Sequence, residues 1–295
     1  MDLSEYEGEA LDALTAHVPA VDPSYHLVPE VEKAILAGFT LNRRVLVQGM
    51  HGTGKSTHVE QVAARLGWPL LRINLDGHLT RMDLVGRDAI VVDDGHATTR
   101  FVEGLLPWAL QRPVAVLFDE YDAGRPDVMF VIQRLLERHG KFTLLDENRV
   151  ITPHSDFRIF ATANTVGLGD GSGLYRGTQV LNQAQVDRWN IVARLDYLEP
   201  EVEEQVVLGQ VAEFGERPDA AMEMKQMVAL AGLVRQAFAA GDLSTVMSPR
   251  TIISWAENII TFGETATAFR MSFANKCDPA ELSIVDELYQ RVFGG

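Results

Sequence analysis

Cysteine is nearly missing from this chain: Cys277 is the only one in 295 residues. An intrachain disulfide is therefore excluded, and so is a metal cluster built on cysteines. Cys277 itself reads as a buried helix residue. Histidine offers no substitute. The eight histidines are scattered, and none shows H-x-x-x-H or similar ligand spacing; neither His51 nor His58 looks like a metal ligand. No apolar run reaches membrane-spanning length. The first residues, Met1-Asp2-Leu3-Ser4-Glu5-Tyr6-Glu7, are acidic, whereas a secretory signal is basic and then apolar. The expectation is a cytoplasmic location and no membrane partner. Positive charge is also short. Lys and Arg number 26 against 41 Asp and Glu, a net charge of −15. A phosphate backbone is repelled on average, so nucleic acid is not the expected partner, although a local basic channel stays open. An acidic surface suits solubility or a basic partner. Repeats and low-complexity segments are missing as well.

What the chain does hold is Gly49-Met50-His51-Gly52-Thr53-Gly54-Lys55-Ser56, a match to G-x-x-x-x-G-K-[ST] that follows the apolar run Val45-Leu46-Val47. Strand, glycine loop and helix in that order are the context a phosphate-binding loop requires. Gly49, Gly52 and Gly54 let the backbone curl so that successive N–H groups point at phosphate oxygens. The positive end of the next helix adds to the attraction. Lys55 is expected to reach the β- and γ-phosphates, and the Ser56 hydroxyl to sit on Mg²⁺. The predicted nucleotide contacts in this stretch are Gly49, His51, Gly52, Thr53, Gly54, Lys55, Ser56 and Thr57, with ATP and Mg²⁺ as cofactors.

Length predicts roughly two domains. Apolar runs alternate with helical patterns, which argues for an α/β fold with a parallel sheet covered on both sides. Strands are expected near Val45–Gln48, Leu70–Asn74, Val114–Phe118, Arg158–Thr162 and Ile191–Leu195, and helices near Glu30–Gly38, Lys55–Leu66 and Val128–His139. Two inserted hairpins are expected. One has Ala89-Ile90-Val91-Val92 before the turn Asp93-Asp94-Gly95; the other has residues 141–145 and 149–151 around Asp146-Glu147-Asn148. The glycine loop Gly167–Gly173 reads as mobile or functional. After Leu198-Glu199-Pro200 the pattern becomes wholly helical, with candidates at Glu201–Gln210, Ala220–Ala240, Thr251–Phe262 and Pro279–Phe293. The domains expected are a nucleotide-binding domain at 1–200 and a small helical lid at 201–295.

The second half of the expected site begins with Val114-Ala115-Val116-Leu117-Phe118-Asp119-Glu120, an apolar strand ending in two acids. Carboxylates at the end of a buried parallel strand face the edge where open α/β folds bind ligands. Asp119 suits Mg²⁺, directly or through water. Glu120 suits a base that orients the attacking water. Asn164, at the tip of another strand, is placed to hold that water near the γ-phosphate, although an Asn there is ordinarily a turn former. Arg188 precedes the fifth strand. A surface arginine is ordinarily a solvated charge, but in a ring ATPase this position faces the neighbour's γ-phosphate. Arg250, in Ser248-Pro249-Arg250, opens a lid helix and is a further candidate phosphate contact.

With these pieces in order the chain resembles the AAA+ ATPases, and more narrowly the MoxR-type and chelatase group. It is similar above all to the smaller ATPase subunits of aerobic, ATP-dependent cobaltochelatases (the CobS type). The stretches Tyr121–Phe130 and Asp242–Arg250 are the particular ones; the glycine loop and Asp119-Glu120 are generic. The turn Asp93-Asp94-Gly95-His96 departs from the family. The resemblance implies a five-stranded αβα core with hairpin inserts plus the lid, assembled as a homo-oligomeric ring, expected to be a hexamer, with sites shared between neighbours. By position it makes Lys55 and Ser56 the phosphate and Mg²⁺ holders, Asp119 and Glu120 the acidic pair, Asn164 the first sensor, Arg250 the second, and Arg188 the residue acting in trans. Whether Arg250 serves its own subunit or a neighbour stays open. The partners implied are a larger ATPase-like subunit with an integrin-type metal-binding domain and a large corrin-binding subunit. The reaction implied is Co²⁺ insertion into hydrogenobyrinic acid a,c-diamide, coupled to ATP hydrolysis, on the route to cobalamin. Three other readings share the same core: a MoxR-like chaperone that remodels protein partners, a nucleic-acid motor, and a scaffold without turnover. Charge disfavours the second, and the intact Glu120 and Arg188 disfavour the third.

Overall fold

Each of the segments Val45–Gln48, Ala115–Asp119 and Arg158–Ala163 is buried along its whole length. Strands of this kind are stable only inside a sheet covered on both faces. The computed structural model of the chain describes residues 3, 6–93, 96–137, 140–145, 147–164 and 183–294. Among these, the strands in chain order are β1 (Val45–Gln48), β2 (Leu70–Asn74), β3 (Gly86–Asp93), β4 (His96–Glu103), β5 (Ala115–Asp119), β6 (Phe142–Leu144), β7 (Arg149–Ile151), β8 (Arg158–Ala163) and β9 (Ile191–Arg194). Five of them form one parallel sheet in the order β2-β5-β8-β1-β9. The expected αβα core is present. The third expected strand is shifted by one residue: Val114 donates to the Arg112 carbonyl in a turn, while Asp119 pairs with Asn74 as the last residue of β5.

The chain divides into two compact units. The first comprises 1–22, 27–49 and 55–195 and holds every strand; the second comprises 23–26, 50–54 and 196–295. In the first unit the helices are α1 (Gly8–Thr15), α2 (Pro29–Leu41), α3 (Lys55–Arg65), α4 (Arg81–Val85), α5 (Leu105–Leu110), α6 (Pro126–Leu135) and α7 (Gln183–Val186). Alternate strand residues feed two cores. Leu46, Val116, Phe118, Ile159 and Ala161 pack with Val128, Ile132 and Leu135 of α6. Val45, Val47, Leu117 and Phe160 pack with Ile35 and Phe39 of α2 and Val59 and Val62 of α3. Period-two alternation is what lets one strand serve both layers. α6 starts two residues earlier than the apolar pattern suggests, because Pro126 occupies the first helical position, where its missing N–H costs nothing. α4, five residues long, is too short to show a helical period; Thr80 and Asp83 close a capping box on it.

Both hairpin inserts are present. β3 and β4 pair antiparallel from Gly86↔Glu103 to Asp93↔His96, and β6 pairs with β7 from Phe142↔Ile151 to Leu144↔Arg149. β3 starts three residues before its apolar run and ends one residue after it. The turn residues Asp94 and Gly95, Asp146, His139 and the glycine loop at 167–173 lie outside the described residues.

The second unit contains α8 (Pro200–Gln210), α9 (Ala212–Gly215), α10 (Ala220–Ala240), α11 (Pro249–Phe262), α12 (Thr265–Ser272) and α13 (Leu282–Phe293). Its core gathers Phe214, Met224, Met227, Trp255 and Phe269, with the Trp255 indole donating to the Thr265 carbonyl at 3.1 Å. Cys277 is buried here, but it follows the short 3₁₀ turn Ala274–Lys276 instead of lying in a helix. Burial pushes its thiol up to about 11, which disfavours the thiolate at neutral pH.

Candidate active site

The loop between β1 and α3 bends at two glycines, Gly52 (φ +79°) and Gly54 (φ +90°). Gly49 needs no positive φ. Its N–H extends the sheet to the Ala163 carbonyl at 3.2 Å, and its carbonyl accepts from Lys55 Nζ at 2.9 Å. Because β1, β5 and β8 are parallel neighbours, Gly49, Asp119 and Asn164 emerge at the same edge. Lys55, at the start of α3, spans that edge and also donates to Asn164 Oδ1 at 2.8 Å. It is only 8% exposed. Burial pulls its pKa down to about 8, against the opposing pull of Asp119, Asp122 and Glu120.

Asp119 is the organising group. Its Oδ1 accepts from Ser56 Oγ at 2.6 Å and from Thr162 Oγ1; its Oδ2 accepts from Arg72 Nε at 2.8 Å and from a second guanidinium nitrogen of Arg72. Burial alone would raise this carboxyl. The Ser56 and Thr162 hydroxyls and the Arg72 charge outweigh it and hold the group below the usual carboxylate range. Asp119 is thus an anion at neutral pH, with one oxygen beside the Ser56 hydroxyl.

Glu120 adopts the left-handed conformation, φ 56° and ψ 47°. A non-glycine residue pays on the order of 1 kcal/mol to stay there. It is held from both sides. Its N–H donates to Thr162 Oγ1 at 3.1 Å, and the next residue, Tyr121, is fully buried with its ring edge-on to Trp189 at 5.2 Å. Asp122 Oδ2 accepts the Asn164 N–H at 3.0 Å, tying the ends of β5 and β8 together.

Lys55, Ser56, Asp119, Glu120 and Asn164 are therefore brought to one edge of the first unit. Thr53 Oγ1 turns back to the Met50 carbonyl at 2.9 Å, while the His51 side chain is exposed and Thr57 half-buried. Arg188 is not among the gathered residues. Its guanidinium donates to the Ala184 carbonyl at 2.6 Å. Asn190 and Ile191 donate to the Arg44 carbonyl just before β1, so the Arg188 backbone lies within two residues of the sheet's amino edge. A four-residue parallel strand separates the two edges by about 13 Å. In the second unit Arg250 is exposed as the second residue of α11. His58 is buried, and its Nε2 accepts from the Val28 N–H at 3.2 Å.

Sequence reasoning missed Thr162, Arg72 and Asp122. Thr162 clamps both acidic residues, yet it reads as one more β-branched strand residue. Arg72 stands level with Leu117, not Asp119, and meets the carboxylate only through its long side chain. Asp122, two residues beyond the expected acidic pair, could have been noticed as a third acid in Asp119-Glu120-Tyr121-Asp122.

Residues 44–188 match the family model described as an AAA domain of the dynein-related subfamily, and residues 215–289 match the CbbQ/NirQ/NorQ C-terminal model. The chain is 61% identical over 280 residues to the aerobic cobaltochelatase subunit CobS of a Sinorhizobium species, covering 95% of this chain and 84% of that one. It is 27% identical to the protein CbbQ of Hydrogenophilus thermoluteolus, over 67% of this chain and 69% of that one. Among solved structures, the RuvB branch-migration motor of Thermotoga maritima superposes with a TM-score of 0.50 at 15% identity, over 90% of this chain and 70% of the other; the likeness is one of fold.

Proposed function

The chain belongs to the family of the aerobic cobaltochelatase subunit CobS, and on that premise we propose that it is the ATP-hydrolysing ring subunit of such an enzyme, driving Co²⁺ insertion into hydrogenobyrinic acid a,c-diamide on the route to cobalamin. The observation that carries the ATPase reading is the meeting of Lys55, Ser56, Asp119 and Asn164 on one sheet edge behind a glycine loop. Residues 1–200 supply the nucleotide-binding part and 201–295 the lid. Gly49, His51, Gly52, Thr53, Gly54, Lys55, Ser56 and Thr57 line the triphosphate, with Arg250 as a further phosphate contact.

Mg²⁺ fits the donors present. The Ser56 hydroxyl and the Asp119 carboxylate are hard oxygen ligands side by side, and Arg72 and Thr162 fix the carboxylate's orientation. Bound there, Mg²⁺ neutralises charge on the β- and γ-phosphates. Lys55 exchanges its bond to Asn164 for phosphate oxygen, which frees the Asn164 amide to hold the attacking water. Glu120 takes a proton from that water as it attacks. Arg188 acts on the γ-phosphate of a neighbouring subunit. This chain carries the triphosphate chemistry; the corrin ring and the cobalt are handled by the family's larger partners, a corrin-binding subunit and an ATPase-like subunit with an integrin-type domain.

Reconstitution tests the proposal. Purified chain, with those two partners, Mg²⁺ and ATP, is expected to insert Co²⁺ into the corrin. The Lys55→Ala variant is expected to lose ATP binding by about 100-fold or more, and metal insertion with it. Hydrolysis without any cobalt insertion would overturn the chelatase role and favour a remodeller of proteins; unchanged ATP affinity in the variant would overturn the loop assignment.

Lys55 also predicts a pH dependence. Its free-state pKa is depressed to about 8, and a bound triphosphate restores the charged form. Affinity is then complete below about pH 8 and falls as pH rises through it, with proton uptake on binding approaching one only above that pH. The ATP dissociation constant is expected to rise about tenfold between pH 7 and pH 9. A Lys55→Arg variant, charged throughout, is expected to flatten that profile in calorimetry.

A further inference from the structure

Met50–Gly54, the tip of the glycine loop, belongs to the same compact unit as the helices α8–α13. Two tyrosines hold its carbonyls. Tyr25 Oη donates to Gly54 at 3.1 Å, and Tyr197 Oη donates to His51 at 3.0 Å. Gly52 makes room for Ser248, since a Cβ built on it would fall 2.3 Å from the Ser248 Cβ. The loop tip thus touches both the segment that leads into α8 and the residue that immediately precedes α11.

Those two places meet in one side chain. Arg235, on α10, sits over the Tyr197 ring with its guanidinium carbon 4.0 Å from the centroid. Its two terminal nitrogens donate to both oxygens of Glu203, at 2.8 and 2.6 Å. Its Nε donates to the Met247 carbonyl at 2.8 Å. Met247 directly precedes Ser248, and Arg250 follows two residues after Ser248.

The geometry needs arginine. Only a planar fork can bind a carboxylate through two nitrogens, stack on an aromatic ring and still direct Nε at a carbonyl. Glu203 is 1% exposed, so the pair is desolvated, and a desolvated ion pair is a poor stabiliser compared with apolar residues of the same volume. What the pair adds is orientation: Glu203 fixes the guanidinium plane, and that plane fixes both Tyr197 and the strand of chain entering α11. We propose that Arg235 is a positioning residue for nucleotide binding, holding the phosphate-loop tip, through Tyr197, and the start of α11, through Met247, in one arrangement. The inference rests on the reading of the glycine loop as a triphosphate site. Arg235 itself touches no nucleotide.

Three variants of the full chain test it. Tyr197→Phe keeps the ring under the guanidinium and removes only the hydroxyl on His51. Arg235→Met combined with Glu203→Leu removes both charges, so no unpaired carboxylate is left in the core. Arg235→Lys keeps a cation beside Glu203 but loses the fork and the stack. Each is expected to raise the ATP dissociation constant, read by calorimetry, and the KM about tenfold, with a smaller fall in kcat. Adding Tyr197→Phe to the Met/Leu pair is expected to cost little more than the pair alone, because both act along one chain of contacts. A lysine variant with the affinity of the unaltered chain would mean that Arg235 only balances Glu203, and the proposal would fall; so would strictly additive losses. If the variants bind ATP as the unaltered chain does, this inference alone is sunk. If the unaltered chain binds no ATP at all, the triphosphate-site reading fails first and takes the inference with it.

Discussion

An Arg188→Ala variant is expected to hydrolyse ATP about 10³-fold more slowly than the unaltered chain, while still binding ATP with an affinity changed by no more than about threefold. The split follows from where the residue sits. Its backbone is at the amino edge of the parallel sheet, near Arg44 and Asn190, and the cluster of Lys55, Ser56, Asp119 and Asn164 is at the carboxyl edge. A residue so placed contributes nothing to gripping phosphate in its own subunit. The use proposed for it is to stabilise charge on a neighbour's γ-phosphate during transfer, where one guanidinium is worth several orders of magnitude in rate. Mixing supplies the decisive measurement. Protomers of Arg188→Ala and of Glu120→Gln, each nearly inactive alone, are expected to regain hydrolysis together, because some seams pair an intact Glu120 with an intact Arg188. Absence of rescue at every mixing ratio would remove the trans assignment.

Glu120→Gln carries the second large effect: kcat is expected to fall about 10²- to 10⁴-fold with ATP retained on the protein. Glutamine preserves size and accepts the same left-handed backbone, so the change is confined to the loss of a proton acceptor. The strained conformation matters here. Glu120 stands at φ 56°, pinned by Thr162 at its N–H and by the buried Tyr121 after it. A conformation that costs energy persists only where surrounding contacts overdetermine it, and at the end of β5 its effect is to turn the carboxylate out of the strand's register. Quench-flow with labelled ATP should find the substrate bound but uncleaved. Turnover within tenfold of the unaltered chain would mean that another group is the base.

Much of this arrangement is legible in the sequence. The order β1, glycine loop, α3 is written in Val45–Ser56, since glycines at fixed spacing after an apolar run have few other uses. The buried strands could be found because they are mostly apolar, and α10, expected at Ala220–Ala240, has those limits. Elements too short to show a helical period were missed. α4 depends on a reciprocal Thr80–Asp83 cap, and α5 carries Pro107, which reads as a breaker although it sits in the first turn of a six-residue helix. Thr162 and Arg72 were invisible as site residues for another reason. Their role depends on which strands are neighbours, and no spacing along the chain encodes that.

The sequence by itself determined the class of chemistry: a glycine loop with Lys55 and Ser56, an acidic pair closing an apolar strand, and the family likeness running through both ends of the chain. These are local patterns, and local patterns survive in one dimension because the backbone conformation they demand involves only adjacent residues. Tertiary structure alone decided that β8 lies between β5 and β1, so that Thr162 bonds Asp119 and Glu120 while Asn164 meets Lys55. It alone decided that Arg188 lies a strand's length from the gathered site residues, and that Arg235 joins Tyr197 to Met247. Contacts between distant segments arise from strand order and side-chain reach, and both are set by how the layers pack to bury their apolar faces.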